Sequence, residues 1–186
     1  MAALYADVRA TVAREPEAAL ARFRDGRDRL FREHPDSPIP AHRRAGFEGL
    51  DHWRYDPALR FEAVVEQRPD MEHRATSLGG EGFPLRRIGV VELPVGTLEV
   101  YWVDVYGGGI FLPFRDATSG EETYAAGRYV LDSVKGADLG GSEGRLVIDF
   151  NYAYHPSCAY DPRWSCPLAP PANRLAVPIR AGERLG

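Results

Sequence analysis

The 186-residue chain holds a single lysine, Lys135, and only two cysteines, Cys158 and Cys166. Two cysteines do not make the disulfide framework of a small secreted domain. No apolar run approaches the ~20 residues that a membrane-spanning helix needs, so no membrane partner is expected. The chain also lacks a basic excess. Its net charge of -4 argues against a general nucleic-acid partner, because displacing counterions from phosphates takes a basic face. It has no glycine-rich phosphate loop ending in Gly-Lys-Ser/Thr and no Gly-x-Gly-x-x-Gly opening a helix, which leaves ATP and dinucleotide sites without support. Asp7 brings a charge to the N-terminus before a signal-peptide core can form, and the expected location is the cytoplasm.

Hydrophobic residues make up 44% of the chain and charged residues 27%, the proportions of an ordinary folded domain. The remaining 22 basic residues are all arginine, so any single arginine is weak evidence for an anion site. Residues 2–33 read as helical with a break near 14–16. Leu20, Phe23, Leu30 and Phe31 share one face, Pro16 suits a first helical turn, and His34-Pro35 stops the helix. From residue 46 the period changes. Strands are predicted at 59–66, 73–77, 87–93, 97–105, 109–113, 124–132, 145–150 and 174–179, with a hairpin at Leu93-Pro94-Val95-Gly96-Thr97. Gly79-Gly80-Glu81-Gly82 reads as a turn, Gly107-Gly108-Gly109 as a bend and 136–144 as a loop tip. The apolar residues on both sides of Trp102 mark a central strand, covered on one face by the N-terminal helix. The expected fold is mainly β with an N-terminal helix. It is a partly closed antiparallel β-barrel or sandwich, capped by a long C-terminal loop at about 151–173. Residues 1–45 would be the helical arm, and 46–186 the β-barrel-like part of one folding unit.

Polar chemistry gathers after residue 112. Asp116, Thr118 and Ser119 precede Gly120 in a string that reads as a local turn held by side-chain oxygens, or as a loop at a pocket mouth. Ser119 stands outside any Gly-x-Ser-x-Gly elbow and lacks support as a nucleophile. On a strand at 124–132, Tyr124, Ala126 and Arg128 share a face. An arginine fork beside a phenol suits a carboxylate or phosphate; the alternative pairs Arg128 with Asp116 or Asp149 in the interior. Asp149 and Asn151 share the next strand's face. Asp149 reads as a general base or, with Asn151, as a tie holding the C-terminal loop to the barrel. Cys158 and Cys166 can form a disulfide or pack as thiols; with His155 they make three zinc ligands of unfavourable spacing, and no metal or cofactor is expected. Asp149, His155 and Ser119 or Ser157 hold the letters of a hydrolytic triad without its motif. Tyr152, Tyr154, Tyr160 and Trp164 form an aromatic cluster that anchors loops, with one tyrosine lining a pocket.

The strings PFRDATSGEETYAAGRY, DFNYAYHPSCAY and CPLAPPANRL and the final AGE, over roughly 112–183, resemble the bacterial family called domain of unknown function 1684. The resemblance implies membership and supplies no activity to transfer. The expected function is binding of a small, polar, anionic molecule at one barrel end. Arg128 would anchor its charge, with Asp116, Asn151, Tyr154 and Asn173 as further contacts. One alternative is a small hydrolase or lyase with Asp149 as base and Tyr124 or His155 as proton donor. The other is a structural protein whose polar residues satisfy one another. The helical arm would serve as a lid on the sheet or as the arm of a homodimer.

Overall fold

The computed structural model describes residues 1–76, 82–104, 108–141 and 143–186, the side chains at 70–74 and 76 excepted. Helices α1 (Ala2–Thr11) and α2 (Pro16–Glu33) form the N-terminal arm, broken where the proline predicts. Leu20, Phe23, Arg27 and Phe31 are buried along α2, so one charged residue interrupts an otherwise apolar stripe. Gly26 costs α2 about 1 kcal/mol of helix propensity. A Cβ at that position would collide with Leu4, and its absence lets α1 close onto α2. A four-residue α3 (Ala41–Arg44) follows, too short to leave a periodic signal.

Seven strands follow: β1 (Arg60–Val64), β2 (Glu66–Thr76), β3 (Gly82–Leu93), β4 (Gly96–Val103), β5 (Gly109–Phe114), β6 (Arg128–Asp132) and β7 (Arg145–Asp149). Strands β2 to β6 run in order as an antiparallel meander, while β1 pairs with β7 in a separate two-stranded sheet. The sheets do not close into a barrel, and the sandwich-like alternative is the one that fits. The β3–β4 hairpin turns through Pro94 and Val95, with Leu93 paired to Gly96. The strand ends expected at Ser77 and Val105, the turn at 79–81 and Gly107 lie outside the described residues.

β4 lies at the centre of the meander and is buried on both faces. Leu98 and Val100 join a core with Ala63 of β1, Ile148 of β7 and the C-terminal Leu175, Ile179 and Ala181. Tyr101 and Val103 face a second core, where Tyr5, Val8, Leu20 and Phe23 of the helices cover the sheet. The arm therefore packs as a lid. The stretch expected to be a loop tip is likewise held: Arg9 donates to the Asp138 carbonyl at 2.7 Å, and Ala137 is buried.

Two strand expectations need correction. Residues 124–127 form a turn closed by Gly127 N–H to the Tyr124 carbonyl at 2.9 Å, so β6 begins only at Arg128 and the shared face of Tyr124 and Arg128 does not exist. Residues 174–179 form no strand: one parallel bridge joins Arg174 to Arg115, the Ala117 N–H donates to the Val177 carbonyl at 3.3 Å, and side chains tie the Ile179 end of this thread.

Candidate functional site

The thread from 173 to 185 is bound by polar groups that the strands bury. Arg128, 1% exposed, opens β6 between the rings of Trp53 and Phe114. Its guanidinium donates to the carbonyls of Ile179 (2.7 Å), Ala181 (2.5 Å) and Glu183 (3.0 Å), and to Asp116 at 3.2 Å. Asp116 accepts the Ile179 N–H at 2.6 Å and the Thr118 hydroxyl at 2.7 Å, while Ser119 closes the same local turn. Burial pulls the Arg128 pKa down to about 10, with Asp116 and Glu183 opposing, so it stays charged at neutral pH. The fork expected to meet a ligand thus meets backbone carbonyls of its own chain.

The other expected contacts are also tied. Asn173 accepts the Glu99 N–H at 2.8 Å and donates to the Glu99 and Pro113 carbonyls at 2.9 and 2.8 Å, holding the thread to β4 and β5. Asn151 accepts from the Asp56 N–H and donates to its carbonyl, both at 2.8 Å. Asp149 ends β7 and caps the turn 150–152, accepting the Asn151 N–H at 2.9 Å, so the two do not share a strand face. Its second carboxylate oxygen is buried without a partner, and burial raises its pKa against the Asn151 bonds. Asp149 and Asn151 thus bond each other and Asp56, whereas Arg128 bonds Asp116 and the thread. Tyr124, half-buried, reaches neither set: its N–H donates to His155 Nε2 at 3.3 Å and its hydroxyl to Cys158 Sγ at 3.7 Å. The four side chains expected to converge occupy three separate places.

A different cluster sits where α2 meets residues 152–160. Glu183, buried in the C-terminal thread, accepts from Arg27 Nε at 2.6 Å, and Nη2 lies 2.5 Å from the same oxygen in the ion pair. It also accepts the His155 N–H at 2.7 Å and the Tyr160 hydroxyl at 2.8 Å. Burial alone would raise the Glu183 pKa; Arg27, with His155 and His52, outweighs that and holds it below the ordinary carboxylate range. Gly182 places this carboxylate at φ +74°, where a Cβ would strike the Ala153 carbonyl. His155 is pushed down to about 4, chiefly by burial, and is neutral at pH 7. Its Nε2 accepts from Tyr124, which assigns the proton to Nδ1.

Neither Arg27 nor Glu183 stands out in the site reading from sequence. Both left a signal. Arg27 falls seven residues after Leu20 and four before Phe31, on the apolar stripe itself, and Glu183 closes the AGE string.

Beside this cluster a cleft of about 260 Å³ opens between α2, residues 34–38 and residues 154–157. Leu30, Phe31, Pro38 and Pro156 give it apolar walls, joined by the rings of Tyr129 and Tyr154. Arg27, Lys135, His34 and Ser157 bring polar groups to it, with Asp36 exposed at the rim. Arg27 Nη1 donates to the Met1 thioether at 3.7 Å, and its guanidinium lies over the Tyr154 ring at 4.8 Å. The Tyr154 hydroxyl is shielded from solvent and has no hydrogen-bond partner among the described residues. Two residues of the expected site, Tyr154 and His155, line this cleft, and Arg128 does not. Among the described residues no three His, Cys, Asp or Glu side chains group as a metal cage.

The architecture is thus a two-sheet sandwich with helical N-terminal lid and a C-terminal thread stitched in by buried ion pairs. The chain belongs to the family described as protein of unknown function DUF1684, whose profile matches residues 45–184. It is similar to an uncharacterised protein of Haloarcula marismortui solved in solution by NMR. That likeness has 32% identity and a TM-score of 0.65 over 93% of this chain and 96% of the other. No curated protein matches the chain.

Proposed function

We propose that the protein binds a small organic anion, an apolar or aromatic body carrying a carboxylate or phosphate, in the cleft between α2 and residues 154–157. The observation that carries this reading is the cleft lining itself, in which apolar residues and the Tyr154 ring stand beside the cationic groups of Arg27 and Lys135. Arg27 and Lys135, ion-paired to Glu183 and Asp132, bring cationic groups to the lining, and the prolines, Leu30 and Phe31 receive the apolar body. A volume of about 260 Å³ admits a ligand at the small end of the usual range. The reading includes a cytoplasmic location, consistent with two unbridged cysteines.

A thermal-shift screen with benzoate, hexanoate and phenyl phosphate tests this, because a ligand of the native state raises stability by mass action. At least one of them is expected to raise the melting temperature. Lys135→Met should reduce that shift at least five-fold. Tyr154→Phe should leave the unliganded protein as stable as before or more stable by about 1 kcal/mol, because it deletes an unpaired hydroxyl. No shift with any probe, or a shift that survives Lys135→Met, refutes the reading and favours a purely structural protein.

A further inference from the structure

The outer wall of the cleft is a proline-rich segment, residues 34–39, that leaves the end of α2. Pro35 and Pro38 have no N–H. The N–H groups the segment does carry are spent locally: His34 on the Leu30 carbonyl, Asp36 on His34 Nδ1, Ser37 on the His34 carbonyl and Ile39 on the Ser37 hydroxyl oxygen. None is left for the carbonyls of Pro35, Ser37 and Ile39. Arginine side chains take them instead. Arg44, the last residue of α3, donates through three different nitrogens: Nη1 to the His34 carbonyl at 3.0 Å, Nη2 to that of Pro35 at 3.0 Å and Nε to that of Ile39 at 3.1 Å. Arg163, on the C-terminal loop, donates to the Ser37 carbonyl at 3.0 Å. We propose that Arg44 is the positioning residue of the cleft, fixing the 34–39 wall in its ligand-ready shape before any ligand arrives, with Arg163 as a second clamp.

Polar ties set the shape of this wall because packing does not. No residue between 34 and 48 belongs to either hydrophobic core. Behind the wall lies a second hollow of about 260 Å³, with Ile39, Arg43 and Phe47 on one side and His155, Ala159 and Tyr160 on the other. Among the described residues, Arg163 donates the one hydrogen bond that joins residues 34–48 to the chain beyond residue 50. Arg163 is itself braced by Asp161, whose carboxylate lies 3.2 Å from its Nε. A guanidinium presents a rigid fork to several acceptors at once, whereas a lysine ammonium has one nitrogen and cannot span the same three carbonyls. A wall already in place spares a ligand the entropy of ordering it, so loosening it costs affinity. The ligand half of this inference rests on the cleft reading; the wall half stands without it.

Amide hydrogen exchange of the full-length chain, followed by titration with benzoate, hexanoate and phenyl phosphate, tests the proposal. In Arg44→Met the amides of Asp36, Ser37 and Ile39 are expected to exchange about ten-fold faster than in the wild type, while the core amides of Val100 and Leu112 keep their rates. The dissociation constant of each probe that binds the wild type should rise about five-fold or more, although Arg44 does not line the cleft. Arg44→Lys keeps the charge and should stay closer to Arg44→Met than to the wild type in both readouts. Arg163→Met should give the same signature more weakly, and it carries the test if Val100 and Leu112 report that Arg44→Met loosens the whole fold. Unchanged exchange at residues 36–39, faster exchange with unweakened binding, or full rescue by lysine overturns the proposal. If no probe binds the wild type, the cleft reading fails; faster exchange then still upholds Arg44 as the residue that fixes this wall, and unchanged exchange overturns it.

Discussion

At the scale of single residues, two aspartates with similar neighbours on paper have opposite roles. Among the described residues Asp116 is the carboxylate bonded to the buried Arg128, and it also holds the Ile179 N–H. Asp116→Asn leaves a buried guanidinium without its counter-charge, and urea unfolding should register a loss of about 3–5 kcal/mol. Asp149 keeps one oxygen unpartnered and its pKa is raised by burial, so its charge is a burden to the fold at neutral pH. Asp149→Asn should change stability by less than about 1 kcal/mol at pH 7. A loss as large as that of Asp116→Asn would refute the assignment. The Arg128–Asp116 pair was one of two interior pairings open to the sequence. The face argument that favoured a ligand failed because period-two alternation needs a strand, and Gly127 at φ +99° ends the turn just before Arg128.

At the scale of elements, a buried ion pair across 156 residues, Arg27 to Glu183, pins the helical lid. Either Arg27→Met or Glu183→Gln leaves a buried partner charge and should cost about 3–5 kcal/mol. The double variant should be less damaged than the sum, because no charge is then left uncompensated. A double-mutant cycle with strictly additive losses would show that the pair does not couple. Most elements were legible. Pro16 and the stripe at Leu20, Phe23 and Phe31 mark α2, and Pro94 with Gly96 marks the hairpin, since these signals act locally. The thread at 174–179 was misread because its β-like composition serves core contacts by Leu175 and Ile179, while its backbone is held by Asp116 and Arg128. Such long-range side-chain ties leave no periodic trace.

At the scale of the whole molecule, His52 and His155 both face Glu183, and burial lowers each to about 4, from an ordinary value near 6.5. As pH falls below about 6.5 the unfolded chain takes up these protons first, so the folded state loses stability between about pH 6.5 and pH 4 and keeps it above that window. The full gap corresponds to about 3 kcal/mol for each histidine at 1.36 kcal/mol per pH unit. Urea midpoints at pH 7.5, 6 and 5 should fall steadily below neutrality, and His155→Gln should remove about half of the slope. A flat profile would contradict buried neutral histidines. The mainly β class, the arm and the double-sided central strand followed from patterning. The separation of β1 and β7 into a second sheet did not, because pairing strands 81 residues apart is decided by packing rather than by any local sequence feature.

The central claim is that the ligand cleft lies against α2 while Arg128 is part of the scaffold. Amide chemical-shift mapping during titration with benzoate, hexanoate or phenyl phosphate tests it most directly. Perturbations are expected at residues 27–38, 129–135 and 154–157. Perturbations centred on 116, 128 and 179–183 instead, or none at saturating concentrations of all three compounds, would contradict the account.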